Sequence, residues 1–502
     1  MKPTANKIAA FLTITALAAG ALPLTTNHAH AATYAANSAV TTAQLTNQQI
    51  EAAVKELNNL GIMNGYIDRS MGEHQTISRA ELATLVYKTF HLKDKTGENA
   101  ELTDVNPNAW YAPYASKVAG LGIMETSNGQ FNPHSQVSDA ELAQVVSKAL
   151  QRDVKSVHYW MSAFYVDNSS ATRGETAVLL QTARQAISSE HAQIKSVRSL
   201  NAITLIVTFD KPLRAEDEVF TKAQTDFAFS SGLTLTNMPR LKTGSIATYI
   251  VPTSVQKAGE VYNLTYKGQA AGTFEGSGTK VSMTTVSQVT NDTFEIAALQ
   301  ENGVVDYGYI ISAYSGGRGA NAFVLDDREQ AGGKTYQIIP SMQARQVMIT
   351  PDGGEPIVAK YVPFTQSTDG KQEPKFRLPV GETLIPGIKY TVSSDWANIN
   401  IASFIAKSFD PLQVTSTKAL SETSIEVSLA EDPGDELFSG RSVTLTSPSG
   451  DVLTATYKYS SRKGAAGVFD LGNNDKLTPG TAYMLTPVGD WGVASSVTVI
   501  YE

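Results

Sequence analysis

The sequence predicts a multidomain chain, with an all-α region of helical repeats followed by three all-β sandwich modules of immunoglobulin-like size. Three observations carry this. A helix–loop–helix segment recurs near the N-terminus at a spacing of 60 to 61 residues. Past residue 191 the apolar pattern changes to alternation, as in Ile203, Leu205, Val207 and Phe209. At 502 residues, the chain exceeds what one hydrophobic core usually supports.

Taken in order, Lys2 and Lys7 precede an apolar run from Ile8 to Leu24, and Ala29-His30-Ala31 fits the small-residue cleavage rule. Residues 1–31 are therefore expected to be a secretory signal, removed after Ala31. A membrane anchor is the rival reading, but Gly20 and Pro23 interrupt a run already short for a span. The sequence has no cysteine, so an exported product must be held together by packing without disulfides. Thiol catalysis and thiolate metal sites are excluded with it.

The repeat is Leu60–Phe90 and again Leu121–Leu150, with a fainter copy of its second half from Thr172. Ile50, Val54, Leu57 and Leu60 lie at helical spacing, and Gly61 stops that helix as a C-terminal cap would, with Gly122 its counterpart. Ser78 with Glu81, Ser138 with Glu141 and Thr172 with Glu175 each fit a capping box, which marks three helix starts. Arg79 and Arg173 fall at the first helical position, where a cation is disfavoured by up to roughly 1 kcal/mol. There the arginine and the free amides of the helix end would both favour an anion. Asp139 takes that position in the middle copy.

Asp104-Val105 with Trp110, Leu121-Gly122-Ile123, Phe131-Asn132-Pro133 and Ile77-Ser78-Arg79-Ala80-Glu81 together resemble the S-layer homology domain. The resemblance spans residues 46–187, read as repeats at 46–92, 101–150 and a degenerate 153–187. It implies a pseudo-threefold helical module whose grooves bind pyruvylated secondary cell-wall polysaccharide of Gram-positive bacteria. It also implies the residues that would bind: Arg79, Arg173, Asp104, Trp110, Asp153, Trp160, Gly61 and Gly122. The first copy lacks the Asp…Trp start and the second carries Asp139 for arginine, so at most two grooves are expected to work.

Beyond the linker, alternating strands open at Ile203, Phe294 and Ile425, and each is answered by a closing tyrosine: Tyr262, Tyr390 and Tyr483. The opening-to-tyrosine distance is 59, 96 and 58 residues, which predicts modules at 196–282, 283–410 and 411–502. The middle one is expected to carry an insertion between Asp306 and Phe376. The tyrosines are read as core or corner residues in preference to a sugar platform.

All seven histidines lie at or before His191, so the β region can hold neither a Ser-His-Asp triad nor an imidazole zinc site. A carboxylate pair is the remaining route to hydrolysis, with Asp326, Asp327 and Glu329 as candidates, though solvated loop charge explains them as well. The acidic turns offer oxygen ligands for Ca²⁺ without EF-hand spacing, so no cofactor is required and Ca²⁺ in lattice assembly is the ion left open. A formal net charge of −8 excludes a broad nucleic-acid footprint, and no membrane contact is expected after signal cleavage. The sequence thus points to an exported, non-enzymatic surface-layer protein, its helical region on cell-wall polysaccharide and its β-modules assembling with copies of themselves. The alternative is a wall-anchored carbohydrate-active enzyme or adhesin working through the β-modules.

Overall fold

The computed structural model describes residues 44–298, 303–308, 323–363 and 373–502, so the expected signal at 1–31 lies outside them. Six helices come first: α1 (Asn47–Asn59), α2 (Arg79–Thr89), α3 (Ala112–Gly120), α4 (Asp139–Leu150), α5 (Val154–Trp160) and α6 (Arg173–Gln185). The apolar face of α1 buries Ile50, Ala53, Val54 and Leu57, but Leu60 is exposed, because Gly61 turns the chain before that face closes. Gly61 and Gly122 have φ of +67° and +68°. Each sits in a Schellman cap: the amides of Gly61 and Ile62 donate to Asn58 and Leu57 O, and those of Gly122 and Ile123 to Ala119 and Val118 O.

The residues just before α2, α4 and α6 meet at the centre of the helical region. The amide of Ile77 donates to Ala171 O (3.0 Å), that of Ala171 to Val137 O (2.9 Å), and that of Val137 back to Ile77 O (3.0 Å). This is a closed three-way backbone ring, and all three side chains are buried in one core. α1 packs on α6, where Glu56 accepts from Gln181 and Arg184, so the first and last helices close the same circle. Of the three expected capping boxes, those at Ser78 and Thr172 are complete. The expected third is half-formed: Ser138 caps the Glu141 amide, but the Glu141 carboxylate pairs with Arg79 instead.

The β region begins with β1 (Ile194–Asn201), β2 (Thr204–Phe209), β3 (Phe227–Phe229), β4 (Arg240–Leu241), β5 (Thr248–Pro252), β6 (Val261–Tyr266) and β7 (Gln269–Glu275). A sheet of order β1-β2-β5-β4 and another of order β3-β6-β7 enclose one core, with Leu205, Val207 and Tyr249 meeting Phe227, Tyr262 and Phe274. The second unit comprises β8 (Val281–Gln288), β9 (Thr293–Ile296), β10 (Val304–Asp306), β11 (Gln330–Ala331), β12 (Lys334–Thr335), β13 (Gln337–Ile339) and β14 (Gln346–Pro351). It continues with β15 (Ile357–Tyr361), β16 (Lys375–Arg377), β17 (Lys389–Ser393), β18 (Ala397–Ile401) and β19 (Ser403–Ile405). The third holds β20 (Leu412–Ser421), β21 (Ser424–Leu429), β22 (Ser442–Thr446), β23 (Val452–Tyr457), β24 (Ala466–Leu471), β25 (Ala482–Pro487), β26 (Gly492–Ala494) and β27 (Thr498–Ile500).

These last two units share one topology. Their orders, β18-β8-β9-β16-β15-β14-β17-β19 and β26-β20-β21-β24-β23-β22-β25-β27, correspond strand for strand. In both, the pairing is antiparallel except at one edge, β18 with β8 and β26 with β20. Each closing tyrosine accepts a hydrogen bond from the amide five residues before it: Lys257 to Tyr262 (2.9 Å), Ile385 to Tyr390 (2.9 Å) and Thr478 to Tyr483 (3.1 Å).

The extra segment lies between β9 and β14, starting before the expected 306–376 interval and ending within it, since β15 and β16 belong to the shared ladder. It covers the outer face of the first unit. Ile206 and Ile250 there meet Val305, Tyr307, Leu325 and Ile338, so β2 is buried on both faces and not only on its alternate one. Buried Lys242 donates to Asp326 O and to Glu329, which also accepts from Arg198. The Asp326 side chain accepts the Arg328 and Gln330 amides. Asp326 and Glu329 are therefore held in the fastening of the insertion, with Glu329 buried. Among the described residues no helix is long and apolar enough to cross a membrane.

Candidate functional site

The two motif arginines occupy corresponding places between repeats. Arg79 reaches from α2 onto the second repeat, where its Nε donates to Phe131 O (2.7 Å), its Nη2 to Glu125 O (2.6 Å), and its Nη1 pairs with Glu141. The guanidinium lies 4.8 Å from the Phe131 ring centroid. Arg173 reaches from α6 onto the first repeat, with Nε on Met71 O (3.0 Å), Nη2 on Asn64 O (2.9 Å) and Nη1 on Glu81 (2.7 Å). It stacks over Tyr66 at 4.6 Å. Burial, with a hydrogen bond to Glu81, pushes the Tyr66 phenol up to about 12.

This geometry corrects the expectation that an anion is held by free amides at these helix starts. The Arg79 and Ala80 amides donate to Ser135 and Pro133 O, and those of Arg173 and Gly174 to Gln75 and Glu73 O. The amide at the third position in each helix is taken by the cap hydroxyl. Arg173 is moreover 3% exposed, so it braces the first repeat against the third and offers no surface to a ligand. Arg79 keeps a rim of exposure.

Around Arg79 the sequence-expected residues do converge. Asp104 accepts the amides of Phe131 and Asn132, both at 2.7 Å, and so fixes the loop that Arg79 crosses. Burial works to raise the Asp104 pKa, but these amides, with nearby Arg79, outweigh it and hold the carboxyl below its ordinary value. Trp110 is 60% exposed. It packs edge-on against Tyr111, which packs edge-on against His134 on the same loop. The open Trp110 face, through Tyr111 and His134, and the Arg79 guanidinium, through Phe131 O, thus both adjoin the 131–134 loop, and an aromatic face and a guanidinium are groups that suit a sugar ring carrying negative charge. Tyr111 and His134 were not expected here from sequence, and Glu141 was read only as the capping partner of Ser138; the position of His134 two residues after Asn132 was the available signal.

The third position differs in kind. Asp139 is 1% exposed, and its carboxylate accepts from the Val166 amide (3.0 Å) and the Ser169 hydroxyl (2.7 Å). It replaces the arginine brace with one of opposite charge. Asp153 and Trp160 are taken up by local contacts away from the Arg79 groove. Asp153 caps α5 through the amide and hydroxyl of Ser156. Trp160 donates its indole N–H to Gly244 O (2.7 Å), and Arg152 donates to Ser245 and Ile246 O. The start of the third repeat is a plate on which the β4–β5 turn docks. Gly61 and Gly122 shape helix ends, and Lys88 donates to Gly61 O (3.0 Å). Among the described residues no three His, Asp or Glu side chains gather as a metal site.

Comparison with known proteins bears on this same segment. The family model for the S-layer homology domain matches residues 101–143. A middle cell wall protein of Brevibacillus brevis is 28% identical over 291 residues, covering 53% of this chain and 27% of its own length. A surface layer protein of Brevibacillus choshinensis is 33% identical over 114 residues, 22% of this chain and 10% of its own. The chain thus spans well under half the length of these relatives. A crystal structure of the S-layer protein SbsC aligns over 90% of this chain and 72% of its own, at 12% identity and a TM-score of 0.17, an overlay too loose to carry an argument. The segment bearing Asp104, Trp110 and the Phe131–Asn132 loop is thus the part of the helical repeats that matches the S-layer homology domain.

Proposed function

We propose that the chain is an exported, non-enzymatic cell-surface protein held without covalent bonds to secondary cell-wall polysaccharide. The observation that carries the reading is the coincidence of the S-layer homology match with an exposed aromatic, Trp110, and a partly exposed arginine, Arg79, on one inter-repeat groove. In that groove Trp110 stacks on a sugar face, Asp104 sets the loop, and Arg79 receives the carboxylate of a pyruvylated residue by exchange with Glu141. Arg173 and Asp139 support the module from within, so one groove works where at most two were expected.

The repeats are read at 46–92, 101–150 and 153–187, and the β-units at 196–282, 283–410 and 411–502 as immunoglobulin-like modules. The shared strand order of the last two and the three corner tyrosines support that division. In this reading the modules pack with those of neighbouring copies into a surface lattice. The anchoring test is a pull-down on purified wall sacculi, before and after removal of the wall polysaccharide. Binding should vanish on stripped sacculi and fall sharply in folded Trp110→Ala and Arg79→Ala variants, and undiminished binding by both would end the reading. Ordered arrays of the mature protein, assayed by electron microscopy with and without Ca²⁺, decide the lattice part separately.

A further inference from the structure

The helical region and the first β-unit do not meet flush. Between α5, α6 and the β4–β5 turn lies an open cleft of about 660 Å³, within the range of small-molecule sites. Its floor is Tyr159 and Trp160. Tyr159 is 40% exposed, with its ring against Gly244, where even a methyl group would come within 3.1 Å of it. Trp160 is fixed from both sides, by its indole N–H on Gly244 O and by the Arg152 guanidinium 5.6 Å from the ring centroid. Aromatic rings held this firmly lose little rotamer freedom when something stacks on them.

The walls have a consistent chemistry. Thr182 and Gln185 face the cleft from α6, and Thr208 from β2. The nearby charges do not make an anion site. The Lys211 ammonium is drawn to Arg184 O (3.1 Å), Asp210 accepts the Gln193 amide (2.8 Å), and Asp327 adds a second carboxylate. Paired aromatics, neutral hydroxyl and amide groups and a slight negative excess suit a ring with apolar C–H faces and uncharged hydroxyls.

We propose that this cleft is a second carbohydrate site, taking two or three neutral pyranose units, distinct in place and in ligand charge from the Arg79 groove. Only the source of the sugar, the wall, rests on the anchoring function above. A bound neutral segment would bridge the helical region and the β region, which the docking of Trp160 and Arg152 already joins.

The test uses the full chain in isothermal titration with three uncharged trisaccharides, built from N-acetylglucosamine, glucose in α-linkage and glucose in β-linkage, and with the anionic wall polysaccharide. At least one trisaccharide should bind at millimolar concentration, and Tyr159→Ala should weaken it by about tenfold. Thr182→Tyr, which fills the cleft from α6 without touching the docking bonds, should abolish it. Folding of both variants is checked by circular dichroism. Sacculus binding should fall with Arg79→Ala and trisaccharide binding with Tyr159→Ala, so the two readings fail separately. Absence of binding by all three trisaccharides, or equal binding by Thr182→Tyr, would overturn the proposal.

Discussion

Asp292, in the turn between β8 and β9, ties the second β-unit to the third. Its carboxylate takes both ends of the Arg441 fork, at 2.5 and 2.9 Å, and both side chains are nearly excluded from water. Burial pushes the Asp292 pKa up, but the bonds and charge of Arg441, with Arg377 beside it, overcome this and hold it at about 2 against an ordinary 3.8. Arg377 is itself held down at about 9 by burial and by Arg441, with Asp292 acting in the opposite sense. Removing the carboxylate in Asp292→Ala therefore leaves two buried guanidiniums facing each other, at a cost of about 3–5 kcal/mol. Because several units unfold, the readout is urea denaturation followed by Trp396 and Trp491 fluorescence in a Trp110→Phe, Trp160→Phe background. Acid gives an independent arm. A carboxyl whose folded pKa is depressed stabilises fully above its unfolded pKa and loses that contribution as pH falls through the folded one. The wild-type should thus lose about 2 kcal/mol between pH 4 and pH 2, a loss absent from Asp292→Ala. A cost below about 1 kcal/mol, or acid profiles that coincide, would refute the reasoning.

Arg173→Ala, which removes three bonds and the partner of Glu81, should destabilise the helical region by about 3 kcal/mol in thermal circular dichroism. Gly174→Ala should be damaging there too, since its Cβ would stand 2.5 Å from Ile50 Cγ2 and 2.8 Å from Glu73 O, whereas Gly61→Ala meets no atom and should cost only about 1 kcal/mol through its positive φ. Tyr262→Phe, Tyr390→Phe and Tyr483→Phe should each cost about 1 kcal/mol in chemical denaturation, each in its own unit, because each loses the same corner bond.

What could be read in the sequence was local. Helix starts at Ser78, Ser138 and Thr172, and strand alternation at Ile425, Val427 and Leu429, follow from spacings of two to four residues, and the structure places helices and strands there. What could not be read was assigned by contacts far apart in the chain. Glu141 gives up its box because Arg79 arrives from sixty residues away. Ile206, apparently outward, is covered by an insertion more than ninety residues downstream. Trp160 carries a ligand-binding pattern yet spends its N–H on Gly244. The motif told which residue types stand at each groove, and packing decided which of them still face outward.

The ring through Ile77, Val137 and Ala171 also restricts what can happen to this chain by duplication or loss. A solenoid is an open stack, and units can be added to its end at little cost. A circle of three donors and three acceptors has no end. Deleting the segment around any one of the three leaves a donor and an acceptor orphaned in the core, while a fourth copy finds every partner already engaged. Change in copy number must therefore come by whole sets of three, whereas change in binding strength can come freely by silencing one position at a time. The middle repeat, which keeps Val137 in the ring while carrying Asp139 two residues on, shows that the charge beside the ring can reverse with the ring intact.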